Sequence, residues 1–283
     1  MLLRKEFLIV LFLICGLLAF SFYEPKPLKR VMDWRATRNA LAENEVSISE
    51  YQVYDYTDEE EPQLTVDFLK GKHFWNPQLV IWLEDSTGKY LETLLVTTST
   101  ARGLFYSGRT SENFRESDGP KTEERNPTRR VDALPYWSHK RGQSYDDGFY
   151  SPPPDQPLPD GVTGATPKGN FYFKSTTDLN KLSAFKVLVE VNVAFDENEY
   201  YAEYDFVDDS VYHSGTGLLG QPSLIYSTMV TQTDANRFYV LSLNGHGHHS
   251  GATGELISDI NSITTAKYIV DRIVVGVNEA WYH

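Results

Sequence analysis

The sequence predicts a mainly β protein: an antiparallel two-sheet β-sandwich with a short N-terminal helix and a long surface excursion. Three observations favour this class. Short apolar stretches recur along the chain, with turn-forming residues between them. Aromatic residues, which are enriched in strands, are abundant, with 18 Tyr and 15 Phe. Few stretches have helical periodicity. Strands and helices do not alternate along the sequence, so nothing in it indicates a parallel sheet.

The N-terminal part of the chain precedes the predicted sandwich. Two basic residues stand before an apolar run over residues 7–22, which has the length of a secretory signal and is short for a membrane span. Residues 1–21 are therefore predicted to be a signal peptide or an N-terminal anchor. The protein is expected to be exported, either periplasmic or extracellular. Residues 22–62 are expected to form a partly helical extension, with a helix over residues 26–44.

Residues 63–283 are predicted to form the β-sandwich domain. Its strands are expected at residues 64–69, 79–84, 91–97, 171–173, 186–194, 224–231, 237–243 and 272–277. Turn residues predict a hairpin between the second and third of these strands, and another across residues 232–236. A polar stretch over residues 107–126 predicts the surface excursion, and residues 262–268 predict a short helix.

The composition excludes several kinds of site. Cys15 is the only cysteine and lies in the signal segment, so the exported part has neither disulfides nor cysteine-based catalysis. A net charge of −13 makes nucleic acid or an anionic membrane surface an unfavourable partner. The chain also lacks a phosphate-binding loop, a dinucleotide-binding fingerprint, a nucleophile elbow and a zinc-protease motif.

The clearest functional signal is a short loop, Asp160-Gly161-Val162-Thr163-Gly164-Ala165-Thr166. It fits every position of the seven-residue attachment signal used by exported flavin transferases. That signal is Asp, then any two residues, then Ser or Thr, then Gly and Ala, and finally Ser or Thr. Such an enzyme joins an acceptor hydroxyl to the FMN half of FAD and releases AMP. The acceptor therefore needs a hydroxyl, which Thr166 supplies, and slim neighbours.

The surroundings of this hydroxyl fit the same interpretation. Gly164 and Ala165 keep the loop thin, and Gly164 allows backbone angles closed to other residues. Pro167 biases Thr166 towards an extended conformation, and the proline-rich run over residues 151–159 keeps the approach extended. An ordinary glycine-containing turn is the alternative. The predicted flavin-attachment site comprises Asp160, Thr163, Gly164, Ala165 and Thr166.

A near copy of the pattern occurs later in the chain. The run Ser250-Gly251-Ala252-Thr253 repeats the last four positions, but Gly247 stands where the pattern requires Asp. We therefore do not expect a second attachment site there.

An aromatic segment over residues 134–150 precedes the loop. Tyr136 and Trp137 are predicted to stack on the flavin ring, and packing in the core is the competing use of such residues. Lys140 and Arg141 are candidates for stabilising reduced, anionic flavin, with a solvated surface position as the alternative.

A histidine-rich run occupies residues 244–249. His246 and His248 stand at alternate positions and are the predicted metal ligands, because alternate residues of an extended chain point to one side. Alternatively, the histidines lie exposed at the tip of a hairpin or contact the flavin. A third ligand would come from one of His249, His213, Glu255 or Asp259.

Acidic residues follow the strand predicted at residues 186–194. They are Asp196, Glu197, Glu199 and Glu203, and their spacing matches no EF-hand. We expect them to form a solvated, charged rim.

Blocks over residues 79–96, 134–142, 187–201 and 220–226 resemble the predicted periplasmic family known as domain of unknown function 2271. The resemblance covers residues 63–283 and implies an exported, β-rich domain associated with flavin transferases and extracytosolic electron transfer. The loop is also similar to that of the flavin-carrying subunits of sodium-translocating quinone reductase and Rnf complexes. This similarity implies Thr166 as the acceptor and Asp160 as the recognition carboxylate.

The sequence thus predicts an exported flavoprotein that carries FMN covalently on Thr166 and transfers electrons outside the cytoplasm, as a redox carrier or a reductase component. Its expected partners are a flavin transferase and a redox protein, which is either soluble or membrane-bound. Two alternatives stay open: a cofactor-free β-sandwich that binds a carbohydrate or a protein, and a histidine-dependent metal-binding protein.

Overall fold

The computed structural model describes residues 51–57, 63–105, 129–159, 162–179, 182–194, 196–202, 205–212, 220–232 and 238–278. Three predicted features lie outside these ranges: the signal peptide or anchor, the helix over residues 26–44 and the excursion over residues 107–126. No helix in the described ranges is long and apolar enough to cross a membrane.

Short strands dominate the described chain. The strands are β1 (Gln52–Tyr56), β2 (Leu64–Lys70), β3 (Gln78–Asp85), β4 (Tyr90–Thr97), β5 (Thr163–Gly164), β6 (Phe171–Ser175), β7 (Ala184–Asn192), β8 (Leu224–Thr231), β9 (Phe238–Val240), β10 (Ser242–His246) and β11 (Val270–Val277). The helices are α1 (Thr98–Arg102) and α2 (Pro135–Lys140), and a 3-10 turn spans Thr265–Tyr268.

The strands form two sheets. One has five strands in the order β1-β6-β2-β11-β9, and the other has six in the order β10-β8-β7-β3-β4-β5. Neighbouring strands are antiparallel except for β1 with β6 and β4 with β5, which are parallel. The predicted mainly β, two-sheet architecture is confirmed, and both sheets are mixed rather than wholly antiparallel.

The main core contains side chains from both sheets. In β2, Leu64, Val66 and Phe68 are fully buried, while the residues between them are partly exposed. In β6, Phe171 and Phe173 follow the same alternation. Phe68 stacks on Phe171 with ring centroids 4.7 Å apart. Each such burial contributes about 1.5–3 kcal/mol, so period-two patterning sets which face turns inward.

The six-stranded sheet is buried on both faces at its centre. β3 and β7 are buried at almost every position, as expected for strands covered on both sides. On the second face, α2 and the residues before it form an outer cluster with Trp82 and Leu188. The chain before the motif loop therefore covers the sheet.

The hairpin predicted across residues 232–236 is correct only for the end of its second strand, where Ser242 and Leu243 pair antiparallel with β8. The strand expected at residues 237–243 divides into β9 and β10, which join different sheets: β9 pairs with β11, and β10 pairs with β8. Leu241, between them, is buried in the main core. The chain thus crosses from one sheet to the other at this residue.

β1 is a strand that the sequence did not predict. It precedes residue 63, where the predicted domain begins, and lies at the edge of the five-stranded sheet. Its Tyr54 and Tyr56 pack against the main core. β1 therefore belongs to the sandwich.

Candidate flavin-attachment site

The motif loop links the two sheets. Thr163 and Gly164 form β5, which pairs with the end of β4 at the edge of the six-stranded sheet. Phe171 then begins β6, next to β1 in the five-stranded sheet. Asp160 lies outside the described residues, so its role in recognition stays a prediction.

Three successive carbonyls of the loop accept hydrogen bonds from side-chain hydroxyls. The Tyr56 hydroxyl donates to the Thr163 carbonyl at 2.8 Å, and the Thr98 hydroxyl donates to the Gly164 carbonyl at 2.9 Å. The Tyr54 hydroxyl donates to the Ala165 carbonyl at 2.6 Å. Burial raises the pKa of Tyr54 to about 12, and it also raises the pKa of Tyr56. Both phenols therefore keep their protons near neutral pH and act as donors.

The predicted acceptor residue, Thr166, comes directly after this anchored stretch. Ala165 is exposed, Thr166 is half-buried and Pro167 is buried. The backbone N–H of Lys168 donates to Gln52 Oε1 at 2.6 Å. Thr166 thus lies between two fixed points of the backbone.

Gly164 is required for space and not for an unusual backbone angle. It is buried, and its φ is not among the positive ones, so it does not use the freedom expected for it. A Cβ at this position would lie 2.7 Å from Leu95 Cδ1 and 3.1 Å from Tyr54 Cε1. The Leu95 methyl group, with the Tyr54 ring beside it, occupies the place that a side chain would need.

We expect Gly164→Ala to lower the free energy of unfolding by about 1–3 kcal/mol, because the added methyl overpacks a filled site. Urea denaturation followed by circular dichroism measures the change. Lys168→Ala is the control, and as an exposed substitution it should stay within about 0.5 kcal/mol of the natural chain. Equal stability of Gly164→Ala and the natural chain would show that Leu95 and Tyr54 move aside.

The near copy of the motif is packed differently. Thr253 Oγ1 is buried and has no hydrogen-bond partner within the described ranges. Gly251 has a φ of +71°, and a Cβ there would lie 2.5 Å from the Val131 carbonyl oxygen. This turn packs closely against the chain around residue 131, and the Thr253 hydroxyl is not accessible.

The aromatic segment lies in the outer cluster. Trp137 is fully buried and Tyr136 nearly so, and Trp137 Nε1 donates to Thr93 Oγ1 at 2.8 Å. This placement corresponds to the core-packing alternative, because Trp137 has no exposed ring face. Val162 of the motif loop packs against the same cluster. The cluster that contains these aromatic residues therefore contacts the loop at Val162.

Sequence reasoning missed a buried carboxylate beneath α2. Glu190 lies in β7 and is fully buried. It accepts hydrogen bonds from the backbone N–H groups of Tyr136 at 3.2 Å and Trp137 at 2.7 Å, and from Ser223 Oγ at 2.5 Å. Burial raises the pKa of Glu190 to about 7. The only sequence signal was a glutamate within a valine-rich strand.

Lys140 and Arg141 have protein partners. Lys140 Nζ lies 3.6 Å from Glu84 Oε1 and donates to the Gly88 carbonyl at 3.1 Å. The Arg141 guanidinium lies 5.2 Å from the centroid of the Trp137 ring. Their suggested action on reduced flavin stays a prediction.

The histidine run lies at the opposite edge of the six-stranded sheet from the motif loop. β10 and β5 are the two edge strands, and five strand spacings of about 4.8 Å place them about 24 Å apart. His246 is buried, with Nδ1 2.7 Å from the Gly247 carbonyl oxygen. The histidines therefore do not share a site with Thr166.

His248 and His249 line an open surface depression of about 740 Å³. His249 stacks on Phe206 at 3.8 Å, and its Nε2 lies 3.2 Å from Asp209 Oδ2. Burial lowers the pKa of both histidines. Among the residues described, no group of three or more His, Cys, Asp or Glu side chains is placed to hold a metal ion. His213 lies outside that set, and the metal site stays a prediction.

The charged rim predicted after β7 is wrong for its first two residues. Asp196 and Glu197 are buried, and Asp196 Oδ1 accepts a hydrogen bond from the Gln221 backbone N–H at 3.0 Å. Burial raises the pKa of Asp196 to about 8. Glu199 is exposed as expected, and Glu203 lies outside the described residues.

Comparisons with family models, with curated proteins and with solved structures gave no match to this chain. The resemblance to domain of unknown function 2271 therefore stays a prediction.

Proposed function

We propose that the protein is an exported carrier of FMN, attached through a phosphoester to Thr166, and that it passes electrons between redox partners outside the cytoplasm. The observation that carries the proposal is the complete attachment pattern from Asp160 to Thr166. Its acceptor residue is half-buried, follows an exposed alanine and lies between two anchored parts of the backbone.

The attachment step needs a flavin transferase and FAD as co-reactant. Thr166 Oγ1 forms a bond to the phosphorus of the FMN half, and the bond from that phosphorus to the AMP phosphate breaks. The hydroxyl proton passes to a base, and AMP leaves. When bound, FMN supplies reversible electron transfer.

The residues present fit this step. Ala165 adds only a methyl group beside the acceptor, and Gly164 adds none, so side-chain bulk around the hydroxyl is small. A covalent bond also suits an exported carrier, because a dissociable flavin would be lost from the compartment.

Co-expression tests the proposal. The full chain is produced with an active flavin transferase and, as a matched control, with a transferase inactivated at its metal site. We expect flavin fluorescence on a denaturing gel and a mass increase of one FMN less water only with the active enzyme. A chain that stays colourless with active enzyme and FAD present would contradict the proposal. The cofactor-free binding module and the metal-binding protein would then be the remaining hypotheses.

A further inference from the structure

We infer that Tyr54, Tyr56 and Thr98 are positioning residues that hold the motif loop in the conformation in which Thr166 accepts the flavin. The inference rests on the proposed function. Its basis is the set of three hydroxyl groups bound to three successive carbonyls of the motif.

The spacing of the two tyrosines matches that of their acceptors. Tyr54 and Tyr56 stand two residues apart on β1, and alternate residues of a strand point to the same side. Their acceptors, Ala165 and Thr163, also stand two residues apart but in the reverse order. β1 therefore runs antiparallel to the loop. The two tyrosines on one side of β1 bind two peptide groups of the loop.

The third hydroxyl comes from the other sheet. Thr98 begins α1, directly after β4 of the six-stranded sheet, and its Oγ1 donates to the Gly164 carbonyl. The loop is thus held by β1 of the five-stranded sheet and by the first residue of α1, which directly follows β4 of the six-stranded sheet. Its conformation depends on how the two sheets pack.

The donors are themselves held in place. The Tyr54 ring packs edge-on against the buried Phe171 ring, with centroids 5.5 Å apart and an interplanar angle of 88°. The Tyr56 ring lies 5.7 Å from that of Phe173. Packing against the core therefore fixes each tyrosine ring and, with it, the position of the phenol oxygen.

This arrangement bears on the transfer step. A displacement at phosphorus requires the attacking oxygen to be oriented relative to the bond that breaks. When the backbone before Thr166 is free to move, only a fraction of chains presents the hydroxyl correctly, and the apparent affinity for the transferase falls by that fraction. The three hydroxyls keep that fraction high.

Conservative variants test the inference, with FMN incorporation by the transferase followed by in-gel fluorescence. The double variant Tyr54→Phe/Tyr56→Phe keeps both rings and removes both hydroxyls. We expect its initial rate at low chain concentration to be about tenfold lower, with a raised KM for the chain and the same final extent of labelling. Tyr172→Phe, on the neighbouring strand β6, is the matched control and should label at the natural rate.

A second pair separates positioning from a loss of folding. Thr98→Val removes the hydroxyl at nearly constant volume and should slow labelling, whereas Thr98→Ser restores it and should return the rate to near the natural value. A purely structural role would instead lower the final extent of labelling and leave the rate per folded chain unchanged, which contradicts the inference. Labelling of the double variant or of Thr98→Val at the natural rate or faster would overturn it and leave the proposed function standing. An unlabelled natural chain would overturn both.

Discussion

Replacing Thr166 by alanine is expected to abolish covalent flavin completely while leaving the fold intact. The substitution removes the acceptor oxygen and one methyl group from a half-buried residue, so the free energy of unfolding should change by no more than about 0.5 kcal/mol. Thr166→Ser keeps a hydroxyl that the motif also allows, and it should keep the label. In-gel fluorescence and intact mass, measured after co-expression with the transferase, give the result.

The near copy of the motif provides an internal control. Thr253→Ala removes a hydroxyl that is buried, so it should leave labelling at the natural extent. A label that survives in Thr166→Ala but is lost in Thr253→Ala would reverse the assignment of the two sites. A label that survives in both variants would show that the flavin is held elsewhere.

The sequence predicts those parts of the fold whose secondary structure is set by one local pattern. In β6 and in the first six residues of β2, buried and partly exposed residues alternate, as expected for a strand with one buried face. The β3–β4 hairpin follows from two apolar strands on either side of a turn at residues 86–89. Period-two patterning thus sets the faces of β2 and β6, whereas β3 is buried on both faces.

The elements that were missed depend on distant contacts. β5 has only two residues and is a strand because Val96 and Thr97 pair with it. β1 is defined by its pairing with β6, which lies more than a hundred residues later in the chain. The crossing at Leu241 cannot be seen in the sequence, because a strand that changes sheets keeps the same apolar pattern as one that does not.

The site shows the same division. The attachment motif is a contiguous pattern, so Thr166 can be proposed from the sequence alone. The hydroxyls of Tyr54 and Tyr56 reach the loop across 111 and 107 residues, and no local spacing connects them with it. Gly164 was predicted for its small size and for its backbone freedom, and the close approach of Leu95 and Tyr54 supports the first of these reasons.

Glu190→Ala is expected to lower the free energy of unfolding by about 3–5 kcal/mol, because two backbone N–H groups and the Ser223 hydroxyl lose their acceptor inside the outer cluster. Glu190→Gln keeps the volume and one acceptor oxygen, so a loss of about half that size is expected. Urea denaturation near pH 7 compares the two variants. A large loss in Glu190→Ala with no loss in Glu190→Gln would show that the cavity, and not the hydrogen bonds, sets the cost.

The same carboxyl makes stability depend on pH. Burial raises the pKa of Glu190 from 4.5 to about 7, so the folded chain binds this proton more tightly than the unfolded chain does. Its contribution, on the order of 3 kcal/mol, is therefore complete below pH 4.5 and is lost as the pH rises towards about 7. Denaturation midpoints between these pH values should fall less steeply in Glu190→Gln than in the natural chain. A residual slope should persist, because burial also raises the pKa of Asp196 to about 8. Identical slopes in the two proteins would show that folding does not shift the pKa of Glu190, because its three hydrogen-bond donors balance the effect of burial.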